Sequence, residues 1–251
     1  ALAEDEGLER VVIPTSAAVR ESFAVEVEAP GELYHFVLPG PELREPEWRR
    51  CLEAVAGLDP RPAWLVASGS LPPGVPADFY ARLARTASDA DMRLVLDTSG
   101  EALEQALAAG VHLLRTNRRE FEELSGRSLE DPASREAALR ELVDAGRAEV
   151  VVVSLGDEGA VLCSRDAYAS AAPPPVTGRS PVGAGDSFVA LLVYRLAAGH
   201  DLRDALDHAV AAAAAAVTTP GSELYAGDEI ERMVRRMREA RGGGSGGPEH
   251  G

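Results

Sequence analysis

Along residues 20–38, RESFAVEVEAPGELYHFVL, apolar and polar positions alternate from Phe23 to Val27, and again through Tyr34, Phe36 and Leu38, with Pro30-Gly31 between. Period two on both sides of a turn predicts a β-hairpin with one apolar face. PGPELREPEWRRCLEAVAG follows and reads as a Pro-started helix with apolar spacing through Trp48, Cys51, Leu52 and Val55. Short apolar runs then alternate with amphipathic stretches. Strands are predicted at Trp64–Ala67, Leu94–Leu96, Val111–Leu114 and Val150–Val153, and helices at Ala77–Ala87, Glu101–Ala109 and Glu136–Ala145. A second hairpin falls around Val161–Tyr168, a long helix runs from GAGD to His200, and helices close the chain through about Ala240. This order predicts an α/β fold with a largely parallel sheet. The opening ALAEDEGLER also reads as helical, whereas RGGGSGGPEHG (241–251) predicts a flexible tail.

In such sheets ligands bind beyond the C-terminal ends of the strands. The polar clusters SGS, DTSG, RTNRRE, SLGDEG and VGAGD all fall at those ends or at the helix starts beside them. GAGD holds Gly183, Ala184, Gly185 and Asp186 where a helix begins. Amides at a helix start are unpaired and partly positive, and small residues let an anion approach them. Taken alone, GxGD is best read as a capped helix start, with Asp186 as an ordinary N-cap. It lacks the third Gly of a dinucleotide fingerprint and the Lys-Ser/Thr ending of a P-loop. An anion hole beside a carboxylate would suit phosphoryl transfer.

Composition narrows the field. The formal net charge of −16 over 251 residues argues against a nucleic-acid partner. All 25 basic residues are Arg, and Asn117 is the sole Asn. Cys51 and Cys163 have neither metal-ligand spacing nor a disulfide framework and fit reduced thiols in a cytoplasmic protein. The longest apolar stretch, residues 209–217, is too short to cross a membrane.

The motifs taken together are specific. VGAGDSF before a long helix resembles the signature of the ribokinase-like, PfkB-type sugar kinases. SGSLPPG (68–74), DTSGEAL (97–103), TNRRE (116–120), VVVSLGDEGA (151–160) and PPPV (173–176) occur in that family's order. GELYHFVLPGPEL (31–43) with SGSLPPG and DTSGEAL resembles the phosphosugar branch, which contains the minor 6-phosphofructokinase, 1-phosphofructokinase and tagatose-6-phosphate kinase. The resemblance implies a three-layer α/β/α domain over 1–240 with a mostly parallel sheet and a partial β-hairpin lid at 20–38. It also implies that the family pattern starts upstream of Ala1, so that an N-terminal part is missing here.

By the same resemblance, Asp186 is the catalytic base and Gly183, Ala184 and Gly185 form the anion hole. Asn117 and Glu120 match the NxxE motif that organises magnesium and the ATP phosphates; the alternatives are an N-cap for Asn117 and first-turn charge for Glu120. Arg115 stands where close relatives carry Lys, facing ATP. Ser154, Gly156 and Gly159 match the nucleotide loop, and Arg20 and Ser70 the substrate-phosphate contacts. Ser180, Val182, Thr219 and Gly221 match a region where some relatives bind a monovalent cation such as potassium, although Glu223 departs from the pattern. The implied reaction is ATP-dependent phosphorylation of fructose 6-phosphate in a homodimer joined through the lid. Fructose 1-phosphate or tagatose 6-phosphate are alternative acceptors. A non-catalytic nucleotide- or sugar-phosphate-binding remnant is the alternative of another class.

Overall fold

The computed structural model describes residues 7–27, 32–176, 182–219, 225 and 227–243. Residues 7–21 form no helix or strand, so the helix read at the chain start is not found over 7–10. This segment is tied down by Glu47, whose carboxylate accepts the backbone N–H of Ser16 at 2.5 Å and that of Arg44 at 2.7 Å. Glu47 sits in the first turn of α1 (Glu45–Ala56), which Pro46 helps to start.

The predicted hairpin is a separate two-stranded antiparallel sheet of β1 (Ser22–Val27) and β2 (Glu32–Val37). Its register pairs Phe23 with Phe36 and Val25 with Tyr34. The Phe23 and Phe36 rings stack at 5.1 Å. Cross-strand pairs of this kind hold a ribbon together, yet all four side chains are exposed.

The main sheet has six strands in sequence order: β3 (Trp64–Ser68), β4 (Arg93–Asp97), β5 (Val111–Asn117), β6 (Ala148–Ser154), β7 (Ala160–Ser164) and β8 (Tyr168–Ala171). Strands β3 to β6 are mutually parallel, and β7 and β8 are added antiparallel. The crossover helices are α2 (Phe79–Asp89), α3 (Gly100–Ala109), α4 (Arg118–Ser125) and α5 (Pro132–Asp144). All four pack on one face, because like-handed crossovers that step in one direction land on the same side. The other face is covered by α6 (Ala184–Ala197), α7 (Leu202–Thr218) and α8 (Gly227–Gly243).

The strand residues divide between the layers by period two. Leu94, Leu96, Val151 and Val153 enter the first core, while Val95, Val150 and Val152 enter the second. Strands β4 and β6 are therefore buried on both faces, which explains their continuous apolar runs, whereas the edge strand β3 is only half-buried, with Val66 exposed. The three-layer α/β/α reading holds. The Ala-rich run at 209–217 lies in α7, where Ala209, Ala211, Ala212 and Ala215 are fully buried. Small side chains there let α6 and α8 pack closely on either side of α7. The last helix continues to Gly243, three residues into the stretch read as a tail from residue 241.

Candidate active site

The C-terminal ends of β4, β5 and β6 meet the start of α6 through Arg115. Gly183 precedes that helix with φ +76°, a left-handed conformation that glycine adopts without strain. Asp186 falls in the first turn of α6 and makes no capping hydrogen bond. Reading it as an N-cap is therefore wrong: the cap position belongs to Gly183. The Asp186 side chain is exposed and, among the described residues, has no hydrogen-bond or ion-pair partner. A carboxylate in the first turn lies where the amides favour negative charge.

Arg115 lies beneath this turn. It stands opposite Asp97 in the parallel register of β4 and β5. Its Nη1 donates to both Asp97 oxygens at 3.2 and 3.0 Å, and its Nη2 donates to Ser154 Oγ at 3.2 Å. The guanidinium rests over the Phe188 ring of α6, 5.8 Å from the centroid. A Cβ on Gly185 would meet Nη2 at 3.4 Å and Nη1 at 3.5 Å, ordinary van der Waals contact, so the guanidinium packs directly against the start of α6. Burial pushes the Asp97 carboxyl above its ordinary range, Arg115 pulls it back, and the charges of Glu120 and Asp186 push it further up. The sequence reading gave Asp97 no role. Its signal was a charged residue ending a buried strand one strand away from Arg115.

Asn117 ends β5 and caps α4. Its Oδ1 accepts the Glu120 N–H at 3.0 Å, while Glu120 Oε2 accepts the Asn117 N–H at 3.3 Å and the Thr116 hydroxyl at 3.2 Å. The NxxE spacing thus builds a capping box, and the N-cap alternative for Asn117 is realised. Ser154 ends β6 and leads to a short 3₁₀ turn at Gly156–Glu158. Gly156 and Gly159 both have positive φ, +68° and +94°, and Leu155 N–H donates to Gly159 O at 2.7 Å. Glu158 is held by Arg118 from α4 and by Arg135 from α5 at 2.6 Å, which fixes the outer side of this loop.

These elements enclose a cavity of about 440 Å³. It is lined by Arg115, Ser154, Ala184 and Gly185 and by Val210, Ala213, Ala214 and Val217 of α7. Gly156, Gly159 and Pro173 line it as well. The lining combines a guanidinium and a serine hydroxyl with apolar α7 side chains, which suits an anionic ligand carrying an apolar group. The sequence reading missed the α7 residues, because in the chain they look like any buried Ala-Val face.

Arg20 and Ser70 meet each other, Nη1 to Oγ at 3.4 Å, but neither lines this cavity. Ser70 follows Gly69, whose carbonyl accepts from Tyr80 Oη at 2.7 Å and Thr98 Oγ1 at 3.0 Å. Gly69 N–H donates to Asp97 O at 2.9 Å, so the β3 and β4 ends form one unit. Asn117 and Glu120 also stand outside the cavity lining. Ser180, Gly221 and Glu223 lie outside the described residues. Thr219 uses its hydroxyl on the α7 backbone, donating to Ala215 O at 2.9 Å.

With this geometry in hand, comparison with known proteins is direct. Residues 44–226 match the pfkB family of carbohydrate kinases, and the chain belongs to that family. ATP-dependent 6-phosphofructokinase isozyme 2 of Mycobacterium tuberculosis is 44% identical over 239 residues, covering 95% of this chain and 70% of the relative. Phosphofructokinase-2 from Escherichia coli in complex with potassium superposes with a TM-score of 0.88 at 36% identity, over 94% of this chain and 77% of that one. In complex with fructose-6-phosphate it gives 0.86 at 36% identity, over 94% and 76%.

Proposed function

We propose that this protein transfers the γ-phosphoryl group of ATP to fructose 6-phosphate, giving fructose 1,6-bisphosphate and ADP. The observation that carries this reading is the exposed Asp186 carboxylate at the start of α6, without a partner among the described residues, next to Ala184 and Gly185, which line a cavity together with Arg115. The kinship with a 6-phosphofructokinase isozyme and with a fructose-6-phosphate complex supports the choice of acceptor.

In this reading ATP occupies the cavity, its base against Val210, Ala213, Ala214 and Val217 and its phosphates toward Ser154, Gly156, Gly159 and Arg115. The sugar's free hydroxyl lies against Asp186. Asp186 accepts the hydroxyl proton as the oxygen attacks the γ-phosphorus in line, and the bond to the β-phosphate oxygen breaks to release ADP. Charge on the moving group is stabilised by the amides of Gly183, Ala184 and Gly185 and by the Arg115 guanidinium. The Arg20–Ser70 pair, already in contact, takes the 6-phosphate, since a guanidinium can hold a phosphate through two hydrogen bonds. The hairpin closes over the sugar and excludes water.

Among the described residues no three His, Cys, Asp or Glu gather into a metal cage. Magnesium needs none, because it keeps several waters and takes phosphate oxygens. Glu120 retains lone pairs beyond its capping bonds, and with Asn117 it would hold the waters of an ion that neutralises the ATP phosphates. The potassium complex of the E. coli enzyme supports a monovalent-cation site near Thr219, which predicts faster turnover in potassium than in tetramethylammonium chloride. The exposed row Phe23, Val25, Tyr34 and Phe36 supports a homodimer formed through the lid. Two free cysteines and no helix long and apolar enough to cross a membrane, among the described residues, support a cytoplasmic protein.

The test is ADP release from MgATP by the full-length protein with fructose 6-phosphate, fructose 1-phosphate, tagatose 6-phosphate and fructose. Preference for fructose 6-phosphate supports the reading, and preference for another phosphosugar reassigns the acceptor. Binding of ATP with no turnover on any of them favours a binding remnant or a different acceptor.

A further inference from the structure

The Arg115 guanidinium stands among carboxylates. It is bonded to Asp97, and the charges of Glu120 and Asp186 both reach Asp97 as well. Its Nη atoms lie 3.4 and 3.5 Å from the Cβ position of Gly185, the residue next to Asp186 in the chain. Pairing with Asp186 would occupy the carboxylate that has to accept a proton. In the structure the guanidinium takes Asp97 and Ser154 instead, and Asp186 stays without a partner among the described residues.

The side chain does not lie this way for its own sake. Its Nε–H is buried with no acceptor, so one of its five donors is given up. Two contacts from neighbouring strand ends and the Phe188 face set its plane. Asp97 and Arg115 are held opposite each other by the β4–β5 register, and both side chains are largely buried, 15% and 14% exposed. That placement makes their pairing a property of the sheet rather than of a surface side chain.

We propose that Asp97 is a positioning residue of the transfer site: it holds the Arg115 guanidinium under the Gly183–Gly185 turn, aimed at the phosphates and kept off Asp186. This rests on the assignment of Asp186 and Arg115 to phosphoryl transfer made above. Arg, unlike Lys, needs such an anchor, because a planar fork acts only in a defined orientation.

The test is a cycle of Asp97→Asn, Arg115→Met and the double variant in the full-length protein, with kcat and both KM values measured. If Asp97 acts through Arg115, Asp97→Asn lowers kcat by about 10²-fold, the cost of a misplaced catalytic group. The KM for fructose 6-phosphate stays unchanged, and the double variant is no slower than Arg115→Met. Losses that multiply in the double variant overturn the proposal. So does recovery of Asp97→Asn at high magnesium, since Asp97 would then serve the metal. Asp97→Asn leaves Arg115 without its carboxylate and can fail to fold. In that case Arg115→Met against the double variant decides, because neither keeps an unpaired cation. A wild-type protein that transfers no phosphate overturns the functional reading instead. MgATP binding by calorimetry in the same proteins then reads the coupling without turnover: equal affinities for Arg115→Met and the double variant support the anchor, and a further loss in the double variant overturns it.

Discussion

Gly159 faces the carbonyl of Ala171 so closely that a Cβ on it would stand 1.9 Å from that oxygen. Its φ of +94° is also one that L side chains rarely adopt. The loop after β6 can therefore turn back along β8 only with glycine here. Gly159→Ala is expected to cost about 3 kcal/mol or more, combining backbone strain with a backbone clash. Urea unfolding checks the stability and MgATP titration checks the loop. A variant as stable as the wild type would show that the loop geometry is wrong.

Asp186→Asn keeps the shape of the α6 start and removes the proposed proton acceptor. General-base catalysis contributes about 10² to 10⁴-fold, so kcat is expected to fall by about that range. MgATP affinity stays close to wild type, because among the described residues Asp186 makes no hydrogen bond or ion pair that the change would remove. Substantial turnover in this variant would remove Asp186 as the base.

Arg20→Ala separates phosphosugar from plain sugar. Losing the proposed charge-assisted bond to the 6-phosphate is expected to raise the KM for fructose 6-phosphate by about 10- to 100-fold. The KM for unphosphorylated fructose should not move. Equal effects on both would mean that Arg20 acts only through the folding of the hairpin.

The Asp207 carboxylate, 1% exposed on α7, receives Arg241 of α8 at 2.6 Å and Arg238 at 3.3 Å. Asp207→Ala breaks this tie between the cavity-lining helix and the last helix. The Arg partners are 38% and 47% exposed and can reach water, so the cost is expected to be about 2 kcal/mol rather than that of a fully buried pair. Chemical denaturation measures it, and a change below the precision of that method would make the tie incidental.

His112 at the start of β5 packs edge-on to Trp64 at 5.2 Å and pairs with Glu149 at 3.0 Å. Burial lowers its pKa below 6.5; Glu149 opposes that shift and Arg93 adds to it. A depressed histidine is protonated more readily in the unfolded chain. Its stabilising contribution is therefore present above the unfolded value near 6.5 and is lost as pH falls through the folded value. Between pH 7.5 and 5.5 the wild type should lose more stability than His112→Gln. Identical losses would show that His112 does not report burial.

The order of strands and helices was legible in the sequence because it depends on local periodicity. Runs such as VVVV at 150–153 are buried on both faces, and the residues that end them are polar, so their C-terminal edge announced a site. Gly183 to Asp186 was legible for a similar reason: small residues at a helix start leave the amides open to an anion. What the sequence by itself determined was therefore the layered α/β architecture, the glycine-bearing loop after β6 and the helix start. Tertiary structure decided which distant groups share a space. It made Gly183 rather than Asp186 the cap, closed Asn117 and Glu120 into a capping box, and extended the last helix to Gly243. It also set Asp97 against Arg115 and turned Val210, Ala213, Ala214 and Val217 of α7 toward the cavity. Strand register and helix docking bring together residues far apart in the chain. No local period encodes that, because the free energy that fixes it comes from burying two cores on opposite faces of one sheet.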